Sequence, residues 1–249
     1  MADLSGQAVL ITGASTGIGA ASARLLARAG ADIGVHYLRS AAAARQVARQ
    51  VEAAGQRALV LKADVRRPAQ VDRMVGRFLE VFGRMDVLFA NAGGLVRRSP
   101  IHQASDALWR EVFALNADSV FYTVRAALGA MLPKKCGNII INASVAARTG
   151  GGGGSVPYAA AKGALVSFTR GLALEVAAQG IRVNAIAPGV TDTPFHEKYT
   201  EPERMKAFRQ KMPLRKIGAP EDIARAVVWL AGEGGGFITG ETIHLAGGV

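Results

Sequence analysis

The stretch that decides the fold is "ITGASTGIGAAS", residues 11–22. It joins "QAVLITG", an apolar run that predicts a buried strand, to "GIGAASARLLARAG", which predicts a helix. Gly13, Gly17 and Gly19 allow a tight turn and let a pyrophosphate approach the free N–H groups of the helix N-terminus. The spacing G-x-x-x-G-x-G departs from the fingerprint G-x-G-x-x-G, so a plain turn is the alternative. The position between strand and helix favours dinucleotide binding.

Short apolar runs and longer amphipathic segments alternate along the rest of the chain. Predicted strands read "DIGVHYL", "RALVLKA", "MDVLFANAG", "GNIIINAS" and "IRVNAIAPG". Predicted helices lie between them, including a long helix from about residue 105 to 131 and another beginning near Val156. This order predicts a single α/β domain over residues 1–249, with a doubly wound, Rossmann-like parallel sheet and helices on both faces.

Composition limits the class of protein. The chain has 249 residues, 50% of them hydrophobic, and a mean hydropathy of +0.20. No apolar run approaches the roughly 20 residues of a membrane span, and the start resembles no signal peptide, so we expect a cytoplasmic protein without a membrane partner. The single Cys136 excludes an internal disulfide and a cysteine metal site, and we expect no metal.

The net charge of +11 raises the possibility of nucleic-acid binding. The basic residues are dispersed along predicted helices and are not interleaved with aromatic residues. We therefore expect no nucleic-acid partner. The charge favours anionic ligands instead.

The end of the second strand, "GVHYLRS", bears on the choice of dinucleotide. An acidic residue that would bind the ribose hydroxyls of NAD is missing there, and Asp32 lies at the wrong end of the strand. Arg39 and Ser40 follow the strand end and could hold a 2′-phosphate. We predict that NADP(H) is preferred and that NAD(H) is possible; a solvated surface position for Arg39 is the alternative.

Tyr158 and Lys162 form a candidate proton-transfer site, since four residues along a helix place two side chains on one face. A nearby ammonium favours the phenolate, so we expect a lowered Tyr158 pKa. The phenol could then donate a proton to a carbonyl oxygen or accept one in reverse. Ser144 follows the preceding strand and could bind the same oxygen. A lone Y-x-x-x-K is more often two surface residues, and its place after this strand makes it specific.

The chain resembles the short-chain dehydrogenase/reductase family over almost its whole length. The motifs that carry the resemblance are "TGASTGIG", "ADV", "NAG", "LNADSVF", Ser144, "YAAAK", "RVNAIAPGVTDTPF", "PLRKIGAPEDIA" and "FITGETIHLAGG". The resemblance implies NAD(P)(H)-dependent interconversion of a carbonyl and a secondary alcohol by hydride transfer. It implies a catalytic tetrad of Asn116, Ser144, Tyr158 and Lys162, with Tyr158 as general acid or base and Asn116 supporting a water next to Lys162.

The same resemblance implies the cofactor contacts. Lys162 would hold the nicotinamide ribose, Asp64 and Val65 would border the adenine, and residues 91–93 would lie beside the adenosine ribose. The full expected set is Gly13, Ser15, Thr16, Gly17, Ile18, Gly19, Tyr37, Arg39, Ser40, Asp64, Val65, Asn91, Ala92, Gly93, Tyr158, Lys162, Pro188, Gly189, Thr191 and Thr193. Two positions depart from the family pattern. Ala246 replaces an acid of many relatives, and Thr16 replaces an arginine frequent in NADP-preferring ones.

Two segments are expected on the substrate side. Residues 150–154 are five glycines, which predict a pocket wall without side chains; a neutral loop expansion is the alternative. The polar segment at about 195–212 predicts a substrate lid, with a solvated helix face as the alternative.

The pattern is most similar to 3-oxoacyl-[acyl-carrier-protein] reductases, which suggests acyl thioester substrates. Lys135 resembles a basic position that docks the carrier, whereas Gln179 is uncharged at a second one. Sugars, polyols and other small secondary alcohols remain alternatives, as does a dinucleotide-binding sensor without turnover. The resemblance also implies a homotetramer.

Overall fold

The computed structural model describes residues 2–249, which contain one parallel sheet of seven strands in the order β3-β2-β1-β4-β5-β6-β7. The strands are β1 (Ala8–Ile11), β2 (Asp32–Tyr37), β3 (Ala58–Lys62), β4 (Val87–Ala90), β5 (Gly137–Asn142), β6 (Ile181–Pro188) and β7 (Thr242–Leu245). The strand order reverses direction between β1 and β4, and such a reversal opens a crevice at the carboxyl ends of the strands.

Helices connect the strands as the alternating pattern predicts. They are α1 (Gly17–Arg28), α2 (Ala41–Ala53), α3 (Pro68–Phe82), α4 (Asp106–Phe113), α5 (Ser119–Met131), α6 (Ala146–Thr149), α7 (Val156–Val176), α8 (Pro194–Tyr199), α9 (Pro202–Lys211) and α10 (Pro220–Ala231). The helix predicted to begin near Val156 is α7, with Pro157 in its first turn, where a missing N–H costs nothing.

The sheet is covered on both faces, which explains the unbroken apolar runs of its strands. One core packs α3, α5 and α7 against the sheet, and the other packs α1, α2 and α10. Successive residues of one strand enter opposite cores: Leu88 lies in the first and Phe89 in the second, both fully buried. The predicted fold class, a doubly wound parallel sheet with helices on both faces, is confirmed.

The long helix predicted over residues 105–131 contains a wide turn. Its α4 and α5 portions are joined by a π-helical segment, Ala114–Asp118, so the helix is continuous but locally unwound. One extra residue in the turn rotates side chains that a regular helix would aim elsewhere, and such turns are frequent at functional sites. Asn116 lies in the centre of this turn.

Within residues 2–249, we find no helix that combines the length and the apolarity required to cross a lipid bilayer.

Candidate active site

The turn between β1 and α1 is shaped for close approach of a ligand. Gly13 and Gly17 have φ angles of +65° and +54°, which other residues rarely adopt. A Cβ on Gly19 would overlap the carbonyl oxygen of Gly13 and would lie 2.7 Å from Nδ2 of Asn91. The side chain of Thr16 does not cap α1, and its first turn carries no acidic residue. These features fit a pyrophosphate at the helix N-terminus.

Two side chains that were not among the predicted site residues, His36 and Thr12, hold this turn. His36 on β2 accepts a hydrogen bond from the Gly13 N–H through Nδ1 (2.9 Å) and donates one from Nε2 to the Ala63 carbonyl (3.0 Å). These partners require a neutral imidazole, and burial lowers the pKa of His36 in agreement. The Thr12 hydroxyl accepts from the N–H groups of Asn91 and Ala92, at 2.9 and 3.0 Å.

Asn91 connects β4 to the same turn. Its Nδ2 donates to the carbonyls of Thr12 (2.9 Å) and Gly13 (3.0 Å), and its Oδ1 accepts from Nδ2 of Asn142 (2.9 Å). The predicted residues of the first turn and of the segment 91–93 therefore lie together at the carboxyl ends of β1 and β4.

The ends of β2 and β3 lie beside the turn. Arg39 and Ser40 are exposed immediately after β2, and Tyr37, the last residue of that strand, is half-buried. Asp32 lies at the opposite end of β2, where its Oδ2 accepts from Nε of Arg57 at 2.7 Å. The interpretation that Asp32 faces away from a cofactor agrees with this ion pair.

Beyond β3, Asp64 pairs with Arg66 at 2.7 Å. The side-chain hydrogen bond from Arg66 lowers the Asp64 pKa. Val65, the other residue expected near the adenine, is buried beside it.

Tyr158 and Lys162 lie on α7, and Ser144 follows the end of β5. Nζ of Lys162 donates to the Asn142 carbonyl at 2.5 Å. The Lys162 side chain is buried, and burial lowers the pKa of Lys162 to about 7. The lysine is thus fixed against the end of β5, and its burial disfavours the ammonium form.

The predicted direction of the Tyr158 pKa is wrong for this structure. Burial raises the pKa of Tyr158 to about 12, and a hydrogen bond with Ser144 opposes that rise. Nζ of Lys162 is 5.8 Å from the centroid of the phenol ring. Desolvation of the phenolate is the largest influence on Tyr158, and it outweighs the stabilisation expected from a nearby ammonium.

Asn116 is fully buried, not solvent-facing. Its Nδ2 donates to the carbonyls of Gly94 (2.8 Å) and Val112 (2.9 Å), and its Oδ1 accepts from the Gly94 N–H (3.0 Å). A Cβ on Gly93 would lie 2.8 Å from Oδ1 of Asn116 and 3.3 Å from Nζ of Lys162. The π-helical turn therefore brings Asn116, the backbone after β4 and Lys162 to one place.

The segment after β6 closes the site from the other side. β6 ends at Pro188, and a Cβ on Gly189 would lie 2.8 Å from Cα of Ala246. Thr191 is buried, and a Cβ on Gly17 would touch Cγ2 of Thr193 at 3.3 Å. The four residues predicted to flank the nicotinamide and its phosphates, Pro188, Gly189, Thr191 and Thr193, thus run from the end of β6 to the first turn.

The glycine run 150–154 forms an ordered left-handed turn. All five residues have positive φ, from +56° to +75°. Its carbonyls are bonded: Gly152 accepts from the Ser155 hydroxyl (2.6 Å), and Gly154 accepts from the Ser99 N–H (2.8 Å). L-residues with side chains cost about 1–2 kcal/mol each in this conformation, so the handedness of the turn requires glycine.

The predicted lid at 195–212 spans most of α8 and α9. Phe195 on α8 packs against the Tyr158 ring, with centroids 5.9 Å apart, and against Tyr199 at 5.2 Å. Arg98, which was not among the predicted site residues, donates from Nε to the Tyr199 carbonyl at 3.1 Å. These contacts place α8 over the phenol.

No group of three or more His, Cys, Asp or Glu side chains placed to hold a metal ion occurs in residues 2–249.

A family model described as enoyl-(acyl carrier protein) reductase matches residues 13–249, nearly the entire chain. The chain belongs to the short-chain dehydrogenase/reductase family. The predicted family and the predicted class, an oxidoreductase that acts on carbonyl and alcohol groups, are confirmed at this level.

Two relatives within this short-chain dehydrogenase/reductase family illustrate its range. 3beta-hydroxysteroid dehydrogenase 1 of Eggerthella lenta is 38% identical over 248 residues, which cover 99% of this chain and 95% of that protein. The 3-oxoacyl-[acyl-carrier-protein] reductase FabG of Escherichia coli K12 is 36% identical over 244 residues, covering 98% and 97%.

Two solved structures of the family superpose on the chain. A 7 alpha-hydroxysteroid dehydrogenase in complex with NADH and 7-oxo glycochenodeoxycholic acid has a TM-score of 0.94 and 29% identity, with 99% of this chain and 95% of that chain covered. A short-chain dehydrogenase from Burkholderia cenocepacia in complex with NADP has a TM-score of 0.91 and 33% identity, with 98% of each chain covered. These two neighbours bind the two forms of nicotinamide dinucleotide.

Proposed function

We propose that this protein interconverts a carbonyl and a secondary alcohol with NAD(P)(H), using Tyr158 as the proton donor or acceptor. The observation that carries the proposal is the position of Ser144, Tyr158 and Lys162. They lie at the carboxyl edge of the sheet, where Lys162 is fastened to the end of β5 and a Cβ on Gly93 would touch it. Ligands of open α/β sheets bind at this edge.

The bound nicotinamide would supply or accept the hydride at the substrate carbon. Tyr158 would donate its O–H proton to the substrate oxygen during reduction and take it back during oxidation. The Ser144 hydroxyl, a hydrogen-bond partner of Tyr158, would orient that oxygen. Lys162 would stabilise the phenolate and return a proton to it, which its pKa of about 7 permits at neutral pH. A phenol whose pKa is raised to about 12 is fully protonated in the resting protein, which suits reduction.

Asn116 acts in this proposal as a positioning residue. Its carboxamide bonds the N–H and the carbonyl of Gly94. Because the adjacent Gly93 has no side chain, Oδ1 of Asn116 and Nζ of Lys162 face the same small space. We retain the prediction that a water in this space links Lys162 to solvent.

A preference for NADP(H) over NAD(H) is part of the proposal. Arg39 and Ser40 are exposed beside the cofactor turn, and Asp32 is bound to Arg57 at the far end of β2. A 2′-phosphate would thus meet a guanidinium and no carboxylate from β2. Arg39→Ala should lower kcat/KM with NADPH about tenfold or more and leave the value with NADH nearly unchanged, as expected for a lost charge-assisted hydrogen bond. Equal loss with both cofactors would contradict the preference.

The substrate is a carbonyl compound, or the secondary alcohol that corresponds to it, and reaches Tyr158 past α8. Acyl thioesters and small or hydroxysteroid-like secondary alcohols are the candidates, since relatives include a 3-oxoacyl reductase and hydroxysteroid dehydrogenases. The test is oxidation of NADPH and NADH by wild type and Tyr158→Phe against acetoacetyl thioesters, keto acids, keto esters and oxosteroids. Turnover that the variant loses supports the proposal. Equal turnover by wild type and Tyr158→Phe would reject it.

We also propose that the protein is a homotetramer and that it is cytoplasmic. Trp109 on α4, Phe121 on α5 and Leu174 on α7 are 39%, 45% and 69% exposed, and apolar side chains at this exposure favour subunit packing. A monomeric mass by light scattering would contradict the tetramer.

A further inference from the structure

Two arginines that are distant in sequence meet on the glycine run 150–154. Nη1 of Arg98 donates to the carbonyls of Gly152 (3.2 Å) and Gly153 (3.0 Å). Arg204 approaches from α9, and a Cβ on Gly153 would lie 2.7 Å from its Nη1. Both guanidinium groups therefore border Gly153, which has no side chain to separate them.

The positive charge at this place is not neutralised within residues 2–249. Neither arginine forms an ion pair with a carboxylate there. Both side chains are half-buried, and the pKa of Arg98 is lowered by burial and then by the charge of Arg204. His196 experiences the same field: burial, Arg98 and Arg204 lower its pKa, and Asp192 acts against them. Like charges held together and partly desolvated are unfavourable until an anion joins them.

Hydrogen-bond donors remain available for such an anion. A guanidinium carries five N–H donors, of which Arg98 uses those on Nε and Nη1 for backbone carbonyls. Within the described residues, Nη2 of Arg98 and the whole Arg204 guanidinium have no hydrogen-bond acceptor. Guanidinium groups bind carboxylates and phosphates in pairs of parallel hydrogen bonds.

The arginine pair lies on the substrate side of Tyr158. Arg98 is bonded to the Tyr199 carbonyl, and Phe195 packs between the Tyr199 and Tyr158 rings. The pair is thus linked to the phenol through the backbone of Tyr199 and the ring of Phe195. Arg39 lies after β2, at the opposite part of the crevice, so the pair is separate from the residues proposed for the cofactor.

We propose that Arg98 and Arg204 bind an anionic group, a carboxylate or a phosphate, on the part of the substrate remote from its carbonyl. This inference rests on the proposed function and narrows its substrates to anionic carbonyl compounds. The anion would bridge the glycine run and α9, and would hold α8 over the reacting carbonyl.

The test compares matched charged and neutral substrates with wild type, Arg204→Gln and Lys206→Gln. Lys206 is exposed on the same helix, so its substitution removes one positive charge without touching the pair. Arg98 is left intact because its bonds support the glycine run. The first comparison pairs each keto acid of a series of increasing chain length with its methyl ester. The other is acetoacetyl-coenzyme A and acetoacetyl-N-acetylcysteamine.

Wild type should prefer the anionic member of a pair, and Arg204→Gln should lower kcat/KM for that member about tenfold or more, mainly through KM. The neutral member should change less than about twofold. Lys206→Gln should leave the ratio unchanged. A selective effect on keto acids identifies a carboxylate, and one on acetoacetyl-coenzyme A identifies a phosphate. Equal losses for both members, or no loss for either, would overturn the inference; continued turnover of neutral substrates would leave the proposed function intact.

A binding measurement gives an answer even without turnover. Titration calorimetry of hexanoate and of inorganic phosphate into the protein with NADP⁺ should show saturable binding of one anion, weakened about tenfold by Arg204→Gln and unaffected by Lys206→Gln. Such binding in a protein that turns over no carbonyl would support the anion site and reject the proposed function. Absence of binding, or identical affinities in wild type and Arg204→Gln, would overturn the anion site.

Discussion

The two glycine turns of this protein are residues 13–19, called the cofactor turn after its proposed ligand, and residues 150–154, called the substrate turn for the same reason. They need glycine for partly different physical reasons. Gly13 and Gly19 are crowded by backbone and by Asn91, so these two positions leave little or no space for a side chain. Gly150 has no heavy atom within 4 Å of an added Cβ, and Gly152 meets only the tip of Arg204 at 3.7 Å. Close packing alone therefore requires glycine at Gly19, which is not left-handed, whereas all five residues of the substrate turn are left-handed and only Gly151, Gly153 and Gly154 among them are also crowded.

The supports of the turns differ as well. Buried His36, Thr12 and half-buried Asn91 fasten the cofactor turn to neighbouring strands. The substrate turn is held by Arg98, Ser99 and Ser155, which belong to loops and a helix start. We expect the first turn to tolerate almost no change and the second to tolerate change with local effects.

The largest effect is expected for Gly19→Ala. The added methyl would overlap the Gly13 carbonyl and press on Asn91, which forces the cofactor turn to shift. Affinity for NADPH should fall about a hundredfold, measured by titration calorimetry. Gly76→Ala is the control, because nothing lies within 4 Å of a Cβ on that α3 residue and alanine favours a helix. Unchanged NADPH affinity in Gly19→Ala would remove the distinction between the turns.

Gly154→Ala should disturb the substrate turn alone. Its φ is +73°, and the Cβ would lie 2.9 Å from the Ser99 nitrogen. The shift would reach Arg98 through the neighbouring residue, so KM for the substrate should rise about tenfold while the NADPH dissociation constant stays within about twofold. A combined loss of cofactor and substrate binding would mean that the two turns behave as one unit.

The cofactor turn should also respond to pH through His36. Its folded pKa lies below the ordinary value of 6.5, so the unfolded chain binds the proton more readily. The part of the unfolding free energy that requires neutral His36 is fully present above pH 6.5. It declines as pH falls toward the folded pKa, by at most about 1.4 kcal/mol per pH unit.

Urea unfolding between neutral and mildly acidic pH measures that slope. His36→Asn should reduce the slope, and substitution of the exposed His102 by Asn should not. An equal slope in wild type and His36→Asn would show that His36 does not couple the turn to pH.

The smallest effect is expected for Gly150→Ala. With open space around the Cβ, only the φ of +75° opposes alanine, at a cost of about 1 kcal/mol in unfolding free energy. Gly55→Ala provides a matched control, since Gly55 has a φ of +86° and equal space but lies at the end of α2. Both variants should lose similar stability and keep full activity. A much larger loss of unfolding free energy in Gly150→Ala than in Gly55→Ala would show that the added methyl group clashes with neighbouring atoms.

Local sequence predicted the features that depend on neighbours in the chain. The cofactor turn follows from glycine spacing between a strand and a helix, and the Tyr158–Lys162 pair follows from helical spacing. The supports could not be found in this way. His36 lies in an apolar strand, where the pattern predicts a core residue, and its partner Gly13 is 23 positions away. Arg98 meets Gly153 across 55 positions.

Properties that arise from burial and from the handedness of the backbone also could not be predicted from local sequence. The spacing of Tyr158 and Lys162 suggests mutual charge effects, but both groups are desolvated by the assembled site, which reverses the expected Tyr158 shift. The glycine run predicts the absence of side chains, and only the fold shows that all five residues turn left-handed. The π-helical turn at Asn116 has no distinctive sequence pattern.

The most direct test of the proposed function separates proton transfer from binding in Tyr158→Phe. The measurement is single-turnover oxidation of bound NADPH by a carbonyl substrate that wild type reduces, together with the dissociation constant for NADPH. Within residues 2–249 no hydrogen bond joins the Tyr158 side chain to the cofactor turn, and phenylalanine keeps the ring. The dissociation constant should therefore stay within about twofold while the rate falls about a thousandfold, the range of a lost general acid. A variant that binds NADPH normally and still reduces the carbonyl at the wild-type rate would contradict the account.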